Sequence, residues 1–397
     1  MEEKVKLHTR AVHAGDRKKA NPAIPVTTPI VTASSYTYER METLDQVFAE
    51  EVDGYCYARY DSPTAHALEE LIADLENGHG SLATASGMLA LQIAIQTALT
   101  DRRHSIVAAS ALYGATIKQL MNVFEPMGVD VRWVDTCDFA AVETAIAEAR
   151  PGCVVMETVS NPILRVGEID RIAALCRTAG AALVVDNTFA TPLIVRPLEL
   201  GAHLVVHSLT KYLAGHGDVL GGAVVSDQEH FQTLRTLSKT IGPNLGPFEA
   251  YLSMRGIKTF PLRFERQCAN AVQVAAALRT HPRLGKVHFL DDSAHPDSAT
   301  IRRLFPAGFY GAMISFEIRD AGREQVFEFM NRLKLVVRGT SLGDVHTLMS
   351  YPAISSHRDI SPKQRQRLGI GDGLVRLSVG IEAAEDILED LVQALSS

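Results

Sequence analysis

The chain has 397 residues, too many for one compact hydrophobic core, so two or three domains are expected. Its 46% hydrophobic and 21% charged residues fit an ordinary globular protein, and a net charge of −7 spread along the chain argues against nucleic-acid or anionic-membrane partners. No apolar run approaches the roughly 18 residues needed to span a bilayer, and the opening Met1-Glu2-Glu3-Lys4-Val5-Lys6 lacks the apolar core of a secretory signal.

Residues 1–63 read as an irregular arm, because Asn21-Pro22, Ile24-Pro25 and Thr28-Pro29 interrupt any long helix. Such an arm has little core of its own and must pack on something else. From 64 onward the pattern is periodic: Leu68, Leu71, Ile72 and Leu75 fall at helical spacing, and Asn77-Gly78 closes the helix. Short apolar runs then alternate with helical stretches. Ser105–Ala109, Val129–Val134, Cys153–Met156, Leu183–Val185, Leu204–Val206 and Gly222–Val225 read as strands buried on both faces. That alternation predicts a doubly wound, mainly parallel α/β sheet over residues 64–256. A helix from Phe248 to about Met254 leads to Arg255-Gly256 and Phe260-Pro261, after which residues 257–397 read as a smaller α+β domain. Its strands are expected near Met313–Ile318 and Val375–Val379, with a final helix from about Ala384.

The five cysteines are dispersed and lack C-x-x-C spacing, which suits reduced thiols in a cytoplasmic protein better than disulfides or zinc. The fourteen histidines show no H-E-x-x-H or similar cluster, so no metal is expected.

The chemistry concentrates on the predicted sheet. Ala181–Val185 ends in Asp186, and Leu204-Val205-Val206 is followed by Ser208-Leu209-Thr210-Lys211. An acid at one strand mouth and a lysine flanked by hydroxyls past another suit pyridoxal 5′-phosphate (PLP). That cofactor needs an amine for its aldehyde, a carboxylate for its pyridine nitrogen and donors for its phosphate. Ser86-Gly87-Met88 opens a helix and reads either as an anion-binding first turn or as a plain cap. Tyr113-Gly114 follows a strand toward the ligand-binding edge, where the tyrosine either stacks on a flat ring or fills the core. Asn161-Pro162 either presents an amide to the cofactor's ring oxygen or simply turns the chain.

Together these segments resemble the Cys/Met-metabolism family of PLP enzymes, from His13-Ala14-Gly15 to Val379-Gly380-Ile381-Glu382. The most specific stretch is His207-Ser208-Leu209-Thr210-Lys211-Tyr212, with Gly215-His216-Gly217-Asp218 close behind. The resemblance implies the type I fold of PLP-dependent transferases. It makes Lys211 the cofactor-bearing lysine and catalytic base, Asp186 the pyridine partner with Thr188 beside it, and Tyr113 the stacking and proton-transferring residue. Ser208, Thr210 and the Ser86-Gly87-Met88 turn would hold the phosphate, and Asn161 would complete the cofactor set. Tyr57-Ala58-Arg59 matches a motif that reaches a neighbouring subunit's phosphate, implying a homodimer with shared sites and a homotetramer built from it. Arg376 matches the arginine that clamps the substrate carboxylate, helped by Ser341 and the backbone of Leu342. A bidentate guanidinium suits that task.

The implied activity is γ-elimination or γ-replacement on a sulfur amino acid or O-acylhomoserine, of the cystathionine γ-synthase and γ-lyase kind. Methionine γ-lyase and O-acylhomoserine sulfhydrylase are the alternatives; a β-lyase, an aminotransferase and a non-catalytic PLP-binding protein are more remote. Three departures bear on the choice. Asp61-Ser62 replaces the Asn-containing pair that usually follows the arginine motif. Ala115 stands where methionine γ-lyases carry cysteine. Thr340 stands where many cystathionine enzymes carry glutamate.

Overall fold

A computed structural model describes residues 23–100, 103–358 and 361–396, so His13-Ala14-Gly15 and Asn21-Pro22 lie outside the described residues. Seven strands form the larger sheet: β1 (Gly80–Thr84), β2 (Ser105–Ala109), β3 (Asp130–Val134), β4 (Cys153–Glu157), β5 (Ala182–Asp186), β6 (Leu204–Ser208) and β7 (Gly222–Ser226), in the order β1-β7-β6-β5-β4-β2-β3. Strands β2 to β6 pair in parallel, and β7 runs antiparallel between β6 and β1. The sheet is thus the doubly wound α/β type that the alternation of apolar runs and helices predicts.

Two strands depart from expectation. β1 went unpredicted because Gly-Ser-Leu-Ala-Thr lacks a β-branched run, yet every residue in it is buried. Small side chains are needed there, since a Cβ on Gly80 would lie 2.3 Å from the Phe231 ring. β3 is an edge strand with mostly exposed side chains rather than a buried one. The helix Gly87–Leu99 is apolar nearly all round, and packing under β5, β6 and β7 explains why.

Five more strands make a second sheet in the order β10-β11-β12-β9-β8: β8 (Leu284–His288), β9 (Met313–Ile318), β10 (Val337–Arg338), β11 (Leu348–Ser350) and β12 (Leu374–Ser378). The helix Phe260–Arg279 serves both cores. Its first half buries Phe260, Phe264 and Cys268 with the large sheet, and its second half buries Ala271, Val274 and Leu278 with the small one. The chain therefore changes core inside this helix, whereas the sequence changes character at 256, where the preceding helix Pro247–Ile257 is ending.

The arm is not wholly irregular. It holds an eight-residue helix, Met41–Phe48, of which only Val47 is buried. Thr64 lashes the arm down, accepting from the Val31 amide at 2.9 Å and donating to the Pro29 carbonyl at 2.9 Å. Ser62 caps the helix Pro63–Leu75 by accepting from the Ala65 amide, so the departure Asp61-Ser62 is a helix start. Asp61 and Glu69 both pair with Arg235 on the helix Gln228–Ile241, and His66 bonds Asp61.

Candidate active site

Parallel strands end together at one edge of the large sheet, which is where an open α/β fold places ligands. β4 ends in Glu157 and β5 in Asp186, paired side by side in register. Burial pushes both carboxyls above their usual range; the adjacent Asp186 adds to the rise at Glu157, while hydrogen bonds from Thr188 oppose it at Asp186. The Asp186 carboxylate accepts from the Thr188 amide at 2.9 Å, and the Thr188 hydroxyl accepts from the Ser208 amide at 2.9 Å. One acid, its hydroxyl neighbour and the end of β6 are thereby locked together.

After β6 the chain turns at once, with the Lys211 amide bonding the Ser208 carbonyl at 3.2 Å. Lys211 Nζ donates to Ser341 Oγ at 3.0 Å. Burial, reinforced by the nearby Arg376 cation, lowers the ammonium pKa to about 8. A lysine so placed gives up its proton, and becomes a nucleophilic amine, at a lower pH than an exposed one.

A cradle of amides and hydroxyls borders the same cavity as the carboxylates and Lys211. The Ser86 hydroxyl caps the helix Gly87–Leu99 by accepting from the Leu89 amide at 3.2 Å. Ser86-Gly87-Met88 is thus both a cap and a first turn, whose Gly87 and Met88 amides have no intrahelical acceptor. Close approach requires glycine twice: a Cβ on Gly87 would lie 2.9 Å from Ser208 Cβ, and one on Gly222 would lie 2.3 Å from the Ser86 carbonyl oxygen. Thr210 Oγ1 accepts from the Gly221 amide at 3.1 Å and completes the cradle.

The small sheet contributes a cation. Arg376 lies within β12, 5% exposed, and donates to Asn161 Oδ1 at 2.9 Å and to the carbonyls of Ser341 at 3.2 Å and Thr340 at 3.4 Å. Its Nε has no hydrogen-bond partner, and no carboxylate pairs with it among the described residues. Burial brings its pKa down to about 10. A guanidinium so desolvated is poised for a small carboxylate.

Between these groups lies a cavity of about 230 Å³, lined by Lys211, Asp186, Ser208, Thr210, Tyr113 and Arg376 among others. Tyr113 is 41% exposed, so it is no core tyrosine, and its amide donates to the Glu157 carboxylate at 2.6 Å. Asn161 does more than turn the chain: it also lines the cavity, and its side-chain oxygen orients Arg376. Ser86, Gly87, Met88, Thr188, Thr340 and Leu342 line the same space; Ala115 does not. Amine, paired acids, amide-and-hydroxyl cradle and buried guanidinium match the aldehyde, basic ring nitrogen and phosphate of PLP together with a substrate carboxylate.

Glu157 is the charged cavity residue that sequence reasoning missed, along with the apolar Leu91, Val159, Phe189 and Leu220. The rule that singled out Asp186, an acid ending an apolar strand, applies equally to Glu157. Conversely, Tyr57 and Arg59 stand apart from their own chain's cavity. The Arg59 guanidinium lies over the Tyr60 ring at 4.8 Å and the Tyr57 ring at 5.5 Å, and it donates to the Lys239 carbonyl.

Comparisons with known proteins agree with this chemistry. Residues 8–396 match the model of a family described as Cys/Met metabolism PLP-dependent enzyme. An L-methionine gamma-lyase of Fusobacterium nucleatum subsp. polymorphum is 39% identical over 392 residues, 98% of either chain. A cystathionine gamma-lyase of Bacillus subtilis is also 39% identical, over 99% of this chain and all of its own. Among solved structures, cystathionine gamma synthase from Xanthomonas oryzae pv. oryzae, in complex with aminoacrylate and cysteine, superposes with a TM-score of 0.87 at 36% identity. That match covers 98% of this chain and 97% of the other.

Proposed function

The chain belongs to the Cys/Met-metabolism PLP-dependent enzymes, and from that premise we propose that it eliminates or replaces the Cγ substituent of an L-amino acid with an uncharged side chain, such as methionine or an acetylated homoserine. PLP is the family's cofactor. The observation that carries the substrate reading is the placement of charge around the cavity. Among its lining residues the charged ones are Glu157, Asp186, Lys211 and Arg376. The two acids serve the cofactor floor, which leaves no carboxylate for the distal ammonium of cystathionine, and Thr340 stands where a glutamate would supply one. Met88, Leu91, Val159, Phe189 and Leu220 line the same space and suit an alkyl thioether.

The proposed division of labour follows the geometry. Lys211 would bear the cofactor, Asp186 would serve its ring nitrogen, Tyr113 would cover its ring, and the Gly87 and Met88 amides with Ser208 and Thr210 would hold its phosphate. The cofactor, when bound, supplies the electron sink that lets Cα give up its proton. Arg376, aimed by Asn161 and supported by Ser341 and the Leu342 backbone, fixes the α-carboxylate. The Lys211 amine would take the Cα proton and move protons at Cβ, and its lowered pKa suits that task. Tyr113, on the open rim, is placed to give or take a proton at the departing group. Tyr57 and Arg59, unused by their own cavity, serve a second copy of the chain. The working enzyme is then a homodimer with shared sites, or a tetramer of such dimers. All five cysteines are free, which suits a cytoplasmic setting.

A second reading, cystathionine as substrate, draws support from the Bacillus and Xanthomonas relatives. A product screen decides. Given methionine, acetylhomoserine with sulfide, and cystathionine, the enzyme should form 2-oxobutyrate or a new γ-substituted product, with methionine or the ester preferred. A preference for cystathionine with release of 2-oxobutyrate would establish the second reading. Pyruvate from cystathionine without 2-oxobutyrate would place the cut at Cβ and overturn both.

A further inference from the structure

Behind the strand ends lies a buried polar network that the reaction does not use. Glu76, the residue after the helix Pro63–Leu75, is 0% exposed. Its Oε1 meets His207 Nε2 at 2.6 Å and accepts from Asn187 Nδ2 at 2.9 Å. Asn187 also donates to the Val195 carbonyl at 2.8 Å, and its own Oδ1 accepts from the Thr158 hydroxyl at 2.7 Å. His207, Asn187 and Thr158 are all fully or almost fully buried.

The positions form a pattern. Thr158 follows Glu157, Asn187 follows Asp186, and His207 precedes Ser208, so each network residue neighbours a residue of the cavity. Successive side chains of a strand point to opposite faces, so the network braces from behind the strands whose other face lines the cavity. Backbone bonds tie the same three ends, Thr158 amide to Asp186 carbonyl at 3.0 Å and Asn187 amide to Val206 carbonyl at 2.9 Å. A buried carboxylate–histidine pair is a poor choice for stability alone, because well-packed apolar residues of similar volume hold a core at least as well. What directed hydrogen bonds add is a fixed geometry.

We propose that Glu76, His207, Asn187 and Thr158 are positioning residues that fix the ends of β4, β5 and β6, and so set how tightly the enzyme holds PLP. The brace has a mechanical source. The helix that delivers Glu76 begins at Ser62, just past Tyr57-Ala58-Arg59, so one rigid element joins the arm to the cofactor floor.

The inference rests on the cofactor lying at Asp186 and Lys211, and the test separates the two ideas. Apoenzyme is titrated with PLP to obtain a dissociation constant and the bound cofactor's absorbance spectrum, while the apo melting temperature is followed by circular dichroism. Glu76→Met and His207→Met should each weaken PLP binding on the order of tenfold, the scale on which outer-shell carboxylate–histidine partners act on bound metals, and each should lower Tm by stranding a buried polar partner. The double variant should regain part of the lost Tm, because Glu76 and His207 no longer strand each other although Asn187 still lacks one acceptor, yet still bind PLP weakly. Thr158→Val keeps the side-chain shape and should fold in any case, with a smaller loss of affinity and an altered spectrum. Wild-type affinity and spectrum in the double variant, or in Thr158→Val should the double not fold, would make the network merely structural and overturn the inference. Asp186→Asn is the control. If it too leaves affinity and spectrum unchanged, the cofactor placement fails and takes the inference with it.

Discussion

The two sheets meet the cavity with opposite electrostatic problems. At the edge of the large sheet, Glu157 and Asp186 are carboxyls that burial drives toward the neutral form. On the central strand of the small sheet, Arg376 is a guanidinium that burial drives the same way, its pKa lowered to about 10. Lys211 stands between them with its own pKa lowered to about 8, partly by Arg376. Each region carries a desolvation cost that folding alone does not relieve. A pyridinium on one side and an α-carboxylate on the other would relieve both. On the proposed function, site chemistry therefore divides by sheet: the large one would serve the cofactor and the small one the amino acid.

That division can be broken from either side. The largest effect should come from the cofactor side: Lys211→Ala should lose about 10⁴-fold or more in kcat, the upper range of acid–base catalysis. Mixing it with Arg59→Ala protomers under subunit exchange should restore part of the activity, since one site of each heterodimer is then intact. Heterodimers that form without any restored activity would confine the arm to its own chain. On the substrate side, Arg376→Ala should cost about 2–4 kcal/mol, roughly 30- to 1000-fold in kcat/KM. It should do so alike for every substrate, because the clamp touches only the shared carboxylate. A loss confined to one substrate would mean that Arg376 reads the side chain. Thr340→Glu should have the smallest effect, shifting the ratio of kcat/KM values about tenfold toward cystathionine and away from methionine, the worth of one charge-assisted contact. An unchanged ratio would move the discrimination elsewhere.

The large-sheet half was far more legible in the sequence than the small-sheet half. Strands such as Val154–Met156 and Leu204–Val206 are apolar because both faces are covered, and a polar residue ending such a run announces the ligand edge. Asp186 and Lys211 are readable on those grounds, and Glu157 would have been. β1 was hidden because close packing against Phe231 demands glycine where a strand former would advertise itself. Arg376 sits inside a buried strand, where alternation alone gives an arginine no role. In the sequence only the family resemblance gives it a role; a physical basis for one appears when the loop bearing Asn161 and the Thr340-Ser341 carbonyls close on it. The Glu76 network was equally hidden, since residues distant in sequence meet only after three strands and a helix are assembled.

The most direct test of the account is to add PLP to apoenzyme across a range of pH, trap it with borohydride and map the modified peptide. The label should fall on Lys211, and the yield at short times should rise as pH passes about 8, where its lowered pKa frees the amine to bond the aldehyde. Label on another lysine, or a yield that rises only near an ordinary lysine's pKa of about 10.4, would contradict it.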